Sequence, residues 1–199
     1  MDTKESLLLK VKEKIERELD CLLKKSSHSL VFGKGNPGAK LLFIGEAPGE
    51  QEDLMGIPFV GAAGRELDKL LHSIDLSLKD VYVANILKYR PPDNRNPSKE
   101  EIECHAPYLL QQIQIIQPKM IITLGNFATK FVLADFNVNR MKTIGGISVL
   151  HGNPVPKEID GFHFIAYPLY HPAAILYNPR LRSELQNDFK KITGLIKDV

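Results

Sequence analysis

Four carboxylates, Glu46, Glu50, Glu52 and Asp53, crowd the segment GEAPGEQED, whose backbone is shaped by Gly45, Pro48 and Gly49. Glycine lets a backbone approach a ligand closely. The spacing matches neither a phosphate-binding loop with its lysine nor a dinucleotide loop, and so many acids would repel a phosphate. They suit a general base, a positioned water or a metal; a solvated acidic turn fits equally well. In Pro58-Phe59-Val60-Gly61 the ring is either a stacking platform for a flat ligand or a core residue. Asn85 ends an apolar run, where an amide can pair with an amide-like edge or simply terminate a strand. His171, in YHPAAILYNP, is followed by proline and can stabilise a developing negative charge. Ile175 and Leu176 behind it can act as apolar wedges in a base stack. Lys88, Arg90 and Arg95 in LKYRPPDNRNP, and Arg180, Arg182 and Lys190 beyond the wedge, either touch phosphates or form plain solvated surface. The other histidines, His28, His72, His105, His151 and His163, show no partner pattern and read as structural or surface residues.

These residues need a scaffold. Leu41–Ile44, Val81–Leu87, Met120–Leu124 and Phe162–Leu169 are short apolar runs that read as buried strands. Helical patterns surround them: Thr3–Lys24, Arg65–Ile74, a helix opened by the Ser98/Glu101 capping-box spacing and running to about Ile116, Phe127–Leu133, and Ser183–Lys197 with a Ser-x-x-Gln opening. Leu30–Phe32 reads as a short extended piece, and Thr143–Pro156 as a Gly-punctuated hairpin. The alternation predicts an α/β fold, a three-layer αβα sandwich around a four-stranded parallel sheet, as one domain over residues 1–199 with an N-terminal helix (1–25) packed on it. In open parallel sheets ligands sit beyond the carboxyl ends of the strands. Gly45–Asp53, Asn85–Pro97 and Tyr170–Pro179 each follow a strand, so they should converge on one edge.

Composition sets looser bounds. With 199 residues, 43% hydrophobic and 25% charged, the chain is an ordinary globular protein. A net charge of +2 permits a nucleic-acid partner without arguing for one. The N-terminus is charged, its apolar run Leu7–Leu9 is too short for a signal core, and no stretch is long enough to span a membrane. Cys21 and Cys104 make no Cys-x-x-Cys pair, so the expectation is a cytoplasmic, monomeric protein with reduced thiols and no membrane contact.

The motifs GEAPGEQED, GIPFVGAAG, VYVANILKYRPPDNRNP and YHPAAIL, in that order, resemble those of the family 4 uracil-DNA glycosylases, from about Val31 to the C-terminal helix. That resemblance implies hydrolysis of the N-glycosidic bond of a flipped-out deoxyuridine in DNA, the opening step of base-excision repair. It places the uracil pocket on Gly45, Glu46 and Ala47, with Phe59 as stacking ring, Asn85 reading the base edge and His171 bonding the carbonyl that gains charge. The better-known uracil-DNA glycosylases carry an Asp at the position of Ala47 to order the water; here Glu46 or Glu52 would take that task, or Glu52 would guard the place of a thymine methyl. Arg95, Ile175, Leu176, Arg180 and Arg182 would meet the DNA.

One departure stands out. Family 4 members hold a [4Fe–4S] cluster through four cysteines, and the matching positions here are Glu18, Cys21, Tyr89 and His105, the last one residue past Cys104. Cluster ligation needs four thiolates, so the expectation is a protein with neither cluster nor other cofactor or metal, that region being filled by side chains. A relative that traps uracil-DNA covalently uses a basic insert missing between Asn85 and Pro97, so a covalent route is not expected. Two alternatives stay open: a glycosylase-like DNA-binding subunit that has lost catalysis, and a glycosylase for another base such as hypoxanthine or mismatched thymine.

Overall fold

Runs with no polar face form the centre of the fold. The computed structural model describes residues 2–196. Its elements are α1 (Lys4–Glu18), α2 (Leu22–Ser26), β1 (Lys34–Gly35), β2 (Leu41–Gly45), α3 (Glu50–Met55), α4 (Ala62–His72), β3 (Val81–Asn85), α5 (Lys99–Ile116), β4 (Met120–Leu124), α6 (Asn126–Leu133), α7 (Ile147–Leu150), β5 (Val155–Ile159), β6 (Phe162–Leu169), α8 (Ala174–Tyr177) and α9 (Leu181–Leu195). Short 3-10 turns lie at Pro92–Asn94 and Val138–Thr143. β2, β3 and β4 are buried along their whole length.

The strand order is β1-β3-β2-β4-β6-β5. The inner four strands are parallel, as expected, and antiparallel β1 and β5 are added at the edges. Side chains alternate across the sheet. Leu42, Ile44, Tyr82, Ala84 and Ile121 pack under α1, α2, α5 and α6. Leu41, Phe43, Val83, Ile122 and Tyr167 pack under α4 and α9. This is the three-layer αβα sandwich.

Several boundaries differ from expectation. The N-terminal helix breaks at Leu19, whose backbone is extended, and restarts with Cys21 as N-cap of α2. The Lys24 amine returns to the Glu16 carbonyl at 2.6 Å and satisfies the freed end of α1. The edge strand falls at Lys34–Gly35 rather than Leu30–Phe32. The hairpin is β5–β6, which starts only at Val155, at the end of Thr143–Pro156, and it turns on Asp160-Gly161, both at positive φ, the pairing that two-residue hairpin turns favour. α3 replaces part of the predicted acidic loop, with Gly49 as its N-cap. α9 starts at Leu181, and the Ser183 hydroxyl bonds the Arg180 carbonyl instead of capping; Lys197, where this helix was expected to end, lies outside the described residues. The Ser98–Glu101 capping box is present, and α5 ends at Ile116. No helix among the described residues is long and apolar enough to cross a membrane.

Candidate active site

The topology brings the three predicted loops together. Gly45 and Asn85 end neighbouring parallel strands in register, and β6 delivers the His171 segment from the same edge. Between them lies a cavity of about 490 Å³, lined by Glu46, Ala47, Glu52, Phe59, Asn85 and His171 among others, with Pro91, Asn94, Arg95, Ala173 and Tyr177 completing its walls. That volume is in the range of small-molecule pockets.

Phe59 is held in an unusual conformation. Its φ is +53°, a left-handed backbone that costs a bulky residue about 1–3 kcal/mol. Three contacts enforce it. One oxygen of the buried Glu52 carboxylate accepts the amides of Val60 (2.9 Å) and Gly61 (2.7 Å). The Lys34 amine donates to the Phe59 carbonyl at 3.1 Å. Gly64 leaves the space that this carbonyl occupies, where any side chain would collide. The ring then stacks on His171, with centroids 6.1 Å apart and planes 25° from parallel. A side chain at Gly45 would strike both the Asn85 amide oxygen and the Phe59 ring, so glycine there lets amide and ring border one space.

The polar groups are tuned by burial. Desolvation raises the pKa of the half-buried Glu46 carboxyl. It pushes His171 down to about 4, so the imidazole is neutral. The Ala173 amide donates to His171 Nδ1 at 3.2 Å, which assigns the ring proton to Nε2. Asn85 is buried, and its main-chain carbonyl accepts the Lys88 amine at 2.8 Å. Asp53, by contrast, ties down the 28–29 turn by accepting the His28 and Ser29 amides.

The expected DNA-facing residues divide. Ile175 is buried in the core under α9, so it is no exposed wedge; Leu176 and Tyr177 are the exposed apolar side chains at that rim. Arg180 is exposed. Arg95 lies at the pocket wall but is held bidentately by Glu101, at 2.6 and 2.9 Å. Arg182 is paired with Glu66 at 2.8 Å, bridging α9 to α4. Lys88, read as a surface cation, is fully buried. Sequence reasoning also missed Tyr177 and the anchoring of Phe59 by Glu52. The signal for Lys88 was its position between the apolar run Val81–Leu87 and Tyr89.

The region of the family's cluster is packed by side chains. Cys21 Sγ lies 3.4 Å from His105 Nε2, and the Tyr89 ring meets His105 edge-on at 6.1 Å. Cys104 Sγ faces the Asp20 carbonyl, 3.9 Å away, and Glu18 pairs with Arg17. Among the described residues no group of three or more His, Cys, Asp or Glu side chains could hold a metal. Two thiols with a phenol and an imidazole do not fit a [4Fe–4S] cluster.

Comparison with known proteins gives the family. The sequence model of the uracil DNA glycosylase superfamily matches residues 32–193. The chain is 42% identical to a type-4 uracil-DNA glycosylase of Saccharolobus solfataricus, over 92% of this chain and 83% of that protein. It is 45% identical to one from Archaeoglobus fulgidus, over 88% of this chain and 86% of the relative. One from Sulfurisphaera tokodaii is 42% identical, over 94% and 84% respectively. Matches of this extent, over a chain whose three loops close on one pocket, show that the protein belongs to the type-4 uracil-DNA glycosylase family.

Proposed function

We propose that the protein hydrolyses the bond between uracil and deoxyribose in DNA and so opens base-excision repair. The observation that carries this reading is the pocket itself, with the stacked Phe59–His171 pair, the buried Asn85 amide and the desolvated Glu46 around one space large enough to admit a nucleobase. A base must leave the stack to enter, which costs a few kcal/mol. Stacking on Phe59 and pairing with Asn85 offset that cost. Bond cleavage sends the electron pair to the base and leaves an oxocarbenium-like sugar. His171, neutral and donating from Nε2, meets the charge on the base; Glu46 takes the proton of the attacking water. Glu46 is preferred over Glu52 because Glu52 already accepts two backbone amides. Gly45 and Ala47 supply backbone to the pocket. At the DNA surface Leu176 and Tyr177 fill the gap left by the extruded base, and Arg180 meets phosphate; Arg95 and Arg182 do so only by exchanging their carboxylate partners.

We further propose that it works as a monomer in the cytoplasm, as one domain, and without a cluster, a reading supported by the poor ligand set around Cys21. Oligonucleotides carrying one uracil, hypoxanthine or mismatched thymine, incubated in chelator and then treated with alkali, test the activity. Breaks only at uracil, from a colourless, iron-free protein, are expected. Binding without breaks would instead mark a DNA-binding subunit, and about four irons per chain would overturn the cluster-free reading. Asn85→Ala should lower kcat/KM on uracil by about 10–100-fold, the loss of one or two buried hydrogen bonds. Unchanged kcat/KM would remove Asn85 from base recognition.

A further inference from the structure

Among the described residues Lys88 is the only lysine or arginine that is fully buried, and it lies directly behind the pocket. Its amine donates to the Asn85 main-chain carbonyl at 2.8 Å and to Gln112 Oε1 at 2.6 Å. The Gln112 amide donates in turn to the Phe32 carbonyl at 3.0 Å. The Lys88 main-chain amide donates to His105 Nδ1 at 2.8 Å. His105 brings no charge, since burial holds it down to about 4. Among the described residues no carboxylate pairs with the Lys88 amine, and burial alone lowers its pKa to about 7.

Lysine is an expensive choice for a purely structural task. A buried amine is normally paired with an acid or replaced by an apolar side chain of similar length. What lysine adds over methionine is an amine that, with its pKa near 7, is in part protonated at neutral pH and so brings positive charge next to the residue that borders the base. In a desolvated place such a charge acts over a longer range than at the surface. Preorganised charges aimed at charge that develops during reaction are among the largest contributors to catalysis.

We propose that Lys88 is a positioning and electrostatic residue that steadies the departing uracil anion from behind Asn85, without touching the base. The inference rests on the glycosylase reading above. As the C1′–N1 bond breaks, its electron pair stays with uracil, and the negative charge spreads onto the ring oxygens. Water adds to C1′ and its proton passes to Glu46; uracil leaves as the anion and takes a proton from solvent afterwards, and Glu46 gives its own back to solvent. Lys88 forms and breaks no covalent bond. Its amine holds the last residue of β3 by the carbonyl and places positive charge on the side toward which the electrons move.

The test compares two leaving groups. Lys88→Met keeps the stem and removes the charge; Gln112→Glu keeps the amine but neutralises it with a neighbouring carboxylate, and is read in its place should the first variant not fold. Single-turnover rates are measured on DNA carrying uracil or 5-fluorouracil, whose anion bears its charge more easily. Affinity is measured on DNA with 2′-fluorodeoxyuridine, which resists cleavage. Each variant should slow uracil release about 10–100-fold, bind the uncleavable DNA as the unaltered protein does, and lose clearly less on 5-fluorouracil. Equal losses on both bases, or an unchanged uracil rate, would overturn the proposal and reduce Lys88 to a packing residue. Failure of the unaltered protein to release either base would overturn the glycosylase reading and this inference with it.

Discussion

His171→Ala should slow uracil release about 10²–10³-fold, the usual loss when one preorganised donor to a developing anion is removed. The expectation follows from the state of the ring. Burial holds its pKa at about 4, so at neutral pH the imidazole carries no charge that would tighten ground-state binding. Its Nδ1 is occupied by the Ala173 amide, so only Nε2–H is left to donate. A neutral donor gains most when its acceptor becomes anionic, so the loss should appear in the rate of bond cleavage. Binding to uncleavable uracil analogues should change little. His171→Gln retains an N–H donor and should fall between alanine and histidine. The fold should survive both changes, because the ring lies half-buried at the pocket edge. A wild-type cleavage rate in His171→Ala would remove this residue from the mechanism.

Where a local pattern decides the structure, the sequence was readable. β4 and β6 coincide with their apolar runs, and α5 starts at its capping box and ends at Ile116. The convergence of three loops needed only the rule for open parallel sheets. Other features depend on contacts distant in sequence. Nothing local tells a Glu in an acidic segment that it will accept the Val60 and Gly61 amides, yet that bond sets the pose of Phe59. Ile175 and Leu176 are adjacent and equally apolar; only the packing of α8 decides that the first faces the core. His105 and Gln112 both fall on the buried stripe of α5 with Leu109, Ile113 and Ile116. Two polar side chains on an apolar stripe signal a buried polar partner, and Lys88, just past its apolar run, is that partner, through its main-chain amide for His105 and its amine for Gln112. The Asp160-Gly161 pair, by contrast, is a local turn signal, and it places the hairpin later in the chain than Thr143–Pro156.

Glu46→Gln should cost about 10²–10⁴ in kcat, the range for loss of a general base. The wild-type pH profile should carry the mark of this group. Its pKa is raised by burial from an ordinary 4.5. Only the ionised carboxylate can accept the proton of water, so activity is present above that raised pKa and lost as pH falls through it. The acid limb should therefore lie above the ordinary carboxylate range. His171 titrates lower, at about 4, and adds a second loss only in stronger acid. In Glu46→Gln the upper limb should vanish while the fold and DNA affinity remain. Glu52→Gln is the informative contrast. Its carboxylate holds the Val60 and Gly61 amides, so it should lower thermal stability and weaken binding by loosening Phe59, and leave the acid limb in place. The opposite outcome, a limb that survives in Glu46→Gln and disappears in Glu52→Gln, would transfer the base to Glu52. It would also mean that one carboxylate oxygen orients the stacking loop while the other takes the proton of water.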